Sequence, residues 1–182
     1  MCNPKSFLEI GVFHGVTARN VCELLYKNHG ASFSYTGIDI FDEGDEFKDE
    51  VAPVKTFNNP LKNFYFKYIK KQNPYSLEAV EDLLSKFKKN ITLLKGNSNE
   101  VLKNIELKEV DFIFIDGGHK YETVKNDLVH SHRLLKNKGT ILCDDLNLSH
   151  ALGVRQAIKE FSDANKIKYE IVHERFAKFD FN

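Results

Sequence analysis

A chain of 182 residues with 42% hydrophobic and 29% charged residues has room for one well-buried domain and not for two large ones. Lys+Arg and Asp+Glu balance at 26 each, which removes the global basic field that nucleic acid or an anionic lipid surface calls for. No apolar run approaches the roughly 20 residues of a membrane span, and the first residues lack a secretory-signal layout. Cys2, Cys22 and Cys143 show no metal-binding spacing; their odd number and the apolar surroundings of the last two suit reduced thiols in the cytoplasm.

Ser6–Ile10 is the first predicted strand, followed by a tight loop over Gly11–Gly15. A core strand this early leaves no preceding segment to cover a site, so cover is expected from elsewhere in the chain or from a partner, and a homodimer is the expected assembly. Thr17 is placed to cap a helix reaching about Lys27, with Val21, Leu24 and Leu25 on its inner face. Ser34–Ile40 is the second strand.

The connection from Phe41 to Asn90 is far longer than a normal one. It opens with Asp42, Glu43, Asp45, Glu46, Asp49 and Glu50, then carries five lysines, six aromatics and no acid between Val51 and Leu77. Two readings stand: a surface insertion packed on the domain, or a lid that recognises substrate. The opposed charges within the loop argue against a nucleic-acid face. Ser76–Lys89 reads as an amphipathic helix.

Ile91–Lys95 is the third strand, with Gly96-Asn97-Ser98 turning into a short helix through Ile105. Val110–Ile115 is the fourth. A helix over Tyr121–Lys136 follows, whose Val124, Leu128, Leu134 and Leu135 face the sheet, and Gly139 leads into the fifth strand, Thr140–Cys143. Gly153–Ala164 is the last helix, and Tyr169–His173 with Phe176–Phe181 form a closing antiparallel pair. Strands alternating with helices predict an α/β fold: one domain over residues 1–182, a doubly wound, mostly parallel seven-stranded sheet with an antiparallel last strand.

Two of these strands end in acids. Val110–Ile115 runs into Asp116-Gly117-Gly118-His119, and Thr140–Cys143 runs into Asp144-Asp145. In open parallel sheets chemistry collects beyond the carboxyl ends of strands, so these acids share a crevice. Carboxylates beside apolar strands need a cation, a ligand or water. Hard oxygen ligands suit Mg²⁺ or Ca²⁺ better than zinc. At the first turn Glu9, Gly11 and Gly15 give G-x-x-x-G rather than the G-x-G-x-x-G of dinucleotide sites. Asp39, closing the second strand, suits a pair of ribose hydroxyls; it also suits a turn or a helix cap.

Taken in order, Glu9-Ile-Gly11-x-x-x-Gly15, Gly37-Ile-Asp39, Gly96-Asn-Ser98, Ile115-Asp-Gly-Gly-His119-x-Tyr121 with Asp127, and Gly139-Thr-Ile-Leu-Cys-Asp144-Asp145 resemble a class I S-adenosylmethionine-dependent methyltransferase. The nearest branch carries an Ile-Asp-Gly-x-His-x-Tyr signature and is associated with O-methylation of sugars and other small metabolites. The resemblance implies the Rossmann-like methyltransferase fold and S-adenosylmethionine as cofactor. It assigns Glu9, Gly11 and Gly15 to the methionine end, Asp39 to the ribose, and Asn97 and Ser98 to the adenine edge. Phe13, His14 and Thr17 of the loop, with Asp116 and Gly117, complete the expected cofactor contacts. Phe13 stands where the usual loop has its middle glycine, and Asn97 where an acid is common.

Similarity to metal-binding O-methyltransferases of the catechol and sugar types implies magnesium held by Asp116, Asp144 and Asp145; the alternative has Asp116 contacting the cofactor directly and Asp144 or Asp145 capping the next loop. His119 occupies the place of their lysine, and Gly118 that of an acid. Imidazole titrates near neutrality, which makes His119 the candidate base beside Asp116. A role in orienting the loop or contacting the cofactor is the alternative. The expected activity is methyl transfer to a hydroxyl of a small, sugar-like molecule. A nicotinamide-dependent oxidoreductase and a non-catalytic cofactor-binding module are the competing readings.

Overall fold

Alternating side chains on the central strands serve two cores at once, because successive Cβ atoms point to opposite faces of a sheet. In β1 (Ser6–Ile10) and β4 (Val110–Ile115), Leu8, Ile10, Ile113 and Ile115 join one apolar cluster, while Phe7 and Phe114 join another. The computed structural model describes residues 3–41, 59–70, 73–107, 109–149 and 151–181. The acidic start of the long connection therefore lies outside the described residues.

The remaining elements are α1 (Val16–His29), β2 (Ser34–Asp39), α2 (Pro60–Phe64), α3 (Leu77–Leu83), β3 (Ile91–Lys95), α4 (Ser98–Asn104), α5 (Tyr121–Leu134), β5 (Leu135–Cys143), α6 (Leu152–Asn165), β6 (Glu170–Val172) and β7 (Phe176–Asp180). A π-type turn, Tyr65–Lys70, continues α2. One sheet of order β3-β2-β1-β4-β5-β7-β6 results, with β7 antiparallel to both neighbours. Residues of α1 and α3, including Ala18, Cys22 and Val80, pack on one face. Those of α4, α5 and α6, including Leu102, Leu128 and Ile158, pack on the other. The expected doubly wound sheet with an antiparallel last strand is the observed one. Cys22 and Cys143 are buried and unbridged, and among the described residues no helix is long and apolar enough to cross a membrane.

Three boundaries differ from expectation. The predicted helix Tyr121–Lys136 stops at Leu134, and Leu135 pairs with Val110 as the start of β5. Two adjacent leucines satisfy a helix face and a strand alike, so the pattern could not place the stop. The predicted helix Ser76–Lys89 is α3, capped by the Ser76 hydroxyl accepting from the Ala79 N–H at 3.2 Å, then a short 3₁₀ turn over Ser85–Phe87. The helix after the glycine loop starts at Val16 with Gly15 as its cap residue, so Thr17 does not cap it.

Register delivers the site. Ile38, Ile10, Ile115 and Cys143 lie side by side across β2, β1, β4 and β5. The next residue of each chain segment, Asp39, Gly11, Asp116 and Asp144, therefore emerges at one edge. Order reverses between β1 and β4, which is the switch point where ligands of such sheets bind.

α6 is seated against the loop carrying His119 by Gly153, where a Cβ would lie 2.6 Å from the Tyr121 nitrogen and 3.2 Å from the His119 carbonyl oxygen. Gly153→Ala is expected to cost about 1–3 kcal/mol through overpacking. Urea unfolding checks this; an unchanged midpoint contradicts the contact.

Candidate active site

The first turn is built by close approach. Gly11 has a φ of +92°, and a Cβ there would lie 2.1 Å from the carbonyl oxygen of Asp116. Its N–H donates to the Ile38 carbonyl at 2.9 Å, and the Asp116 N–H donates to Ile10 at 2.8 Å. Only glycine lets the loop after β1 lie against the end of β4 in this way. Phe13 holds a φ of +52° where the usual loop has glycine. Its ring meets His14 edge-on at 3.8 Å between centroids and Tyr75 at 5.0 Å, with His14 and Tyr75 4.3 Å apart. Tyr75, just before α3 in the long connection, is buried here, so that connection reaches the glycine loop. Thr17 lies exposed in the first turn of α1.

Asp39 holds the loop from the other side. Its Oδ2 accepts from the N–H groups of Val12 at 2.7 Å and Phe13 at 2.8 Å, and its Oδ1 accepts from Phe41 at 2.9 Å. A carboxylate offers about four acceptor positions. Three are taken by backbone N–H groups, so Asp39 shapes the loop as well as closing the second strand. Asn97 caps α4, accepting from the Asn99 N–H at 2.9 Å. The Gly96 N–H donates to the Asp39 carbonyl at 2.9 Å, which brings Asn97 and Ser98 beside Asp39.

Glu9 is buried beneath α1 and receives a hydrogen bond from the Tyr35 hydroxyl on Oε2. Among the described residues Oε1 has no hydrogen-bond partner. Burial pushes this carboxyl up to about 8; the Tyr35 hydrogen bond opposes the rise, and the charges of Asp116 and Asp39 add to it. Glu9 is thus mostly neutral at pH 7.

At the ends of β4 and β5 the acids meet. Burial raises Asp116 to about 7, helped by Asp144 and Asp145 and opposed by Arg175, with a further upward contribution from a hydrogen bond to Asp144. Asp144 is buried, and both of its oxygens are engaged by the Nε and Nη2 donors of Arg175. The Asp145 N–H donates to Asp144 Oδ1 at 2.6 Å, and Asp145 itself has a φ of +60°. Asp145 Oδ2 stands 2.9 Å from His119 Nε2, and its Oδ1 lies 3.8 Å from Arg175 Nη2. Asp127 of α5 is buried under Gly117. The structure therefore joins Asp116, His119, Asp144 and Asp145 in one cleft, bordered by Gly117 and Val154.

Arg175 is the site residue that sequence reasoning missed. It follows a tight turn in which His173 and Glu174 both have positive φ. The pairing Cys143↔Ala177, carried two residues further, sets Arg175 opposite Asp145. A signal was present, since a lone arginine sat at the turn of the predicted closing pair.

Magnesium does not fit the expected set. Among the described residues no group of three His, Cys, Asp or Glu side chains is arranged to hold a metal ion. Asp144, central to that set, is taken up by a guanidinium.

A family model described as a methyltransferase domain matches residues 8–146. The chain belongs to that family. S-adenosylmethionine is accordingly the cofactor of this methyltransferase. A search of curated protein sequences finds no match. Among solved structures the methyltransferase is similar to the O-methyltransferase NovP, with 15% identity, a TM-score of 0.68, and 97% of this chain covering 72% of that one. It is also similar to CalS11, a TDP-rhamnose 3′-O-methyltransferase of calicheamicin biosynthesis, at 16% identity and TM-score 0.62, with 98% and 72% covered. A putative rRNA-methylase from Clostridium thermocellum stands at 14% and 0.63, with 97% and 86% covered. At these identities the likeness is one of fold.

Glu9 yields a test with a definite sign. Its folded-state value of about 8 lies above its ordinary 4.5, so its contribution is present below pH 4.5 and is lost as pH rises toward 8. Glu9→Gln should therefore gain stability relative to the native protein between pH 5 and 8, by up to about 1.4 kcal/mol per pH unit. Urea midpoints at pH 5, 6.5 and 8 measure it, and a constant difference across that range would refute the buried neutral carboxyl.

Proposed function

We propose that this methyltransferase acts on a hydroxyl oxygen of a small, sugar-like acceptor, with His119 as the base. The observation that carries the reading is the His119–Asp145 pair at 2.9 Å, set beside Asp116 at the sheet's switch point. In the tautomer whose Nε2–H donates to Asp145 Oδ2, the basic lone pair of the imidazole lies on Nδ1. Asp145 then stabilises the imidazolium that forms when Nδ1 takes the hydroxyl proton.

The residues present fit the cofactor. Gly11, Phe13, His14 and Gly15 form the turn that would hold it, and among the described residues the buried Glu9 Oε1 has no hydrogen-bond partner, which leaves that carboxyl available to the methionine end. Asp39 would accept a ribose hydroxyl, while Asn97 and Ser98 would border the adenine. Asp116 and Gly117 would face the reacting end. S-adenosylmethionine supplies a methyl group on an electrophilic sulfonium. The protein's own contribution is alignment, exclusion of water and removal of one proton.

The acids at the strand ends favour a neutral polyhydroxyl acceptor over an anion. Asp116, raised to about 7, can donate or accept a hydrogen bond to a sugar hydroxyl near neutral pH. An acceptor of this class also suits the name of CalS11. The connection from Phe41 to Asn90 sets access, since its Tyr75 already rests on Phe13 and His14.

Calorimetry with S-adenosylmethionine, using NAD⁺ as control, is the first test, and micromolar binding of the methyl donor alone is expected. His119→Ala should lower kcat by about 10²–10⁴-fold on hydroxyl acceptors while cofactor affinity stays within about threefold. Unchanged kcat in that variant would remove His119 from the proton transfer.

A further inference from the structure

We propose that Arg175 replaces a divalent metal at the strand ends, so that methyl transfer by this chain proceeds without one. Its consequence for activity rests on the methyl-transfer reading above; its consequence for metal binding does not.

The guanidinium contacts two of the three carboxylates that would hold an ion, Asp144 and Asp145. It is bidentate to Asp144 through Nε and Nη2, and Nη2 lies 3.8 Å from Asp145 Oδ1. A planar fork of donors matches a carboxylate closely and carries its charge at all accessible pH values. The Arg175 side chain is half-exposed, but the backbone that presents it is fixed. Its carbonyl accepts from the Leu146 N–H at 2.9 Å, and its N–H donates to Val172 at 3.2 Å. Asn147 Nδ2 donates to the Glu174 carbonyl at 2.6 Å, and Arg155 Nη2 to Asn147 Oδ1 at 2.8 Å, so the hairpin is fastened to the segment after β5. The Phe176 ring lies 5.3 Å from the guanidinium carbon.

Two consequences follow for the chemistry. A metal ion lowers the pKa of a hydroxyl bound to it, and a guanidinium already committed to Asp144 does so far less. Proton removal therefore falls on His119 and Asp145. Asp144, buried and paired, becomes a positioning residue: its Oδ1 accepts the Asp145 N–H at 2.6 Å and fixes the carboxylate that holds His119. Removal of Arg175 would leave a buried, uncompensated carboxylate next to two others, and such a group seeks a cation.

Mn²⁺ is the probe, read by electron paramagnetic resonance and water-proton relaxation on the full chain. The native protein is expected to show no binding tighter than millimolar. Arg175→Ala should acquire a site at least tenfold tighter, and Arg175→Ala/Asp144→Asn should lose it again. Should Arg175→Ala not fold, Arg175→Gln, which keeps much of the side chain, reads the same change. Methyl transfer by the native protein should be unaffected by EDTA. Micromolar Mn²⁺ binding by the native protein that is lost in Asp144→Asn would overturn the proposal. So would a folded Arg175 variant that gains no site, or loss of transfer in EDTA. Failure of every variant and the native protein to bind S-adenosylmethionine would instead strike the functional reading and leave the Mn²⁺ comparison standing.

Discussion

Four parallel strands ending at one level are the constraint on which the rest of the molecule depends. Ile38, Ile10, Ile115 and Cys143 stand side by side in the sheet, and each is followed directly by a residue of the site. A slip of one residue in any pair would turn a core side chain to the opposite face. The two apolar clusters, one on each side of the sheet, thus hold the register that keeps Asp39, Gly11, Asp116 and Asp144 together. Stability and site assembly are the same physical fact at this edge.

The edge concentrates negative charge in a partly buried place, and the structure answers each acid differently. Asp39 is solvated by three backbone N–H groups of the loop it shapes. Glu9, whose one hydrogen-bond partner among the described residues is the Tyr35 hydroxyl, stays mostly protonated. Asp144 is matched by Arg175, and Asp145 lies against His119. Asp116, raised to about 7 by burial and by the two acids beside it, keeps part of its proton at neutral pH. Groups whose environments push their protonation apart in this way are characteristic of active sites.

The glycine loop shows how a departure from the common pattern is accommodated. Phe13 takes a left-handed conformation that costs a side-chain-bearing residue about 1 kcal/mol or more. Its N–H is held by Asp39, and its ring joins His14 and Tyr75. The loop is therefore coupled both to the second strand and to Tyr75 of the long connection, which is how a segment far along the chain touches the glycine loop.

Much of this was legible in the chain. Period-two apolar runs, glycines at the first turn, and acids after the second, fourth and fifth strands depend on local rules, and those rules located the strands, the switch point and the residues at its rim. Helix limits at Leu134 and Val16 escaped because neighbouring residues satisfied two local patterns equally well. Arg175 escaped for a different reason. Nothing within the β6–β7 hairpin says which strand lies next to it; only the packed sheet sets β7 against β5 and so sets a turn arginine opposite Asp145. What periodicity and residue chemistry determine is which groups a protein has to work with and at which strand ends they emerge. Which charge neutralises which is decided by tertiary contact, because an ion pair depends on distance in space and on burial, and neither is written in the order of residues.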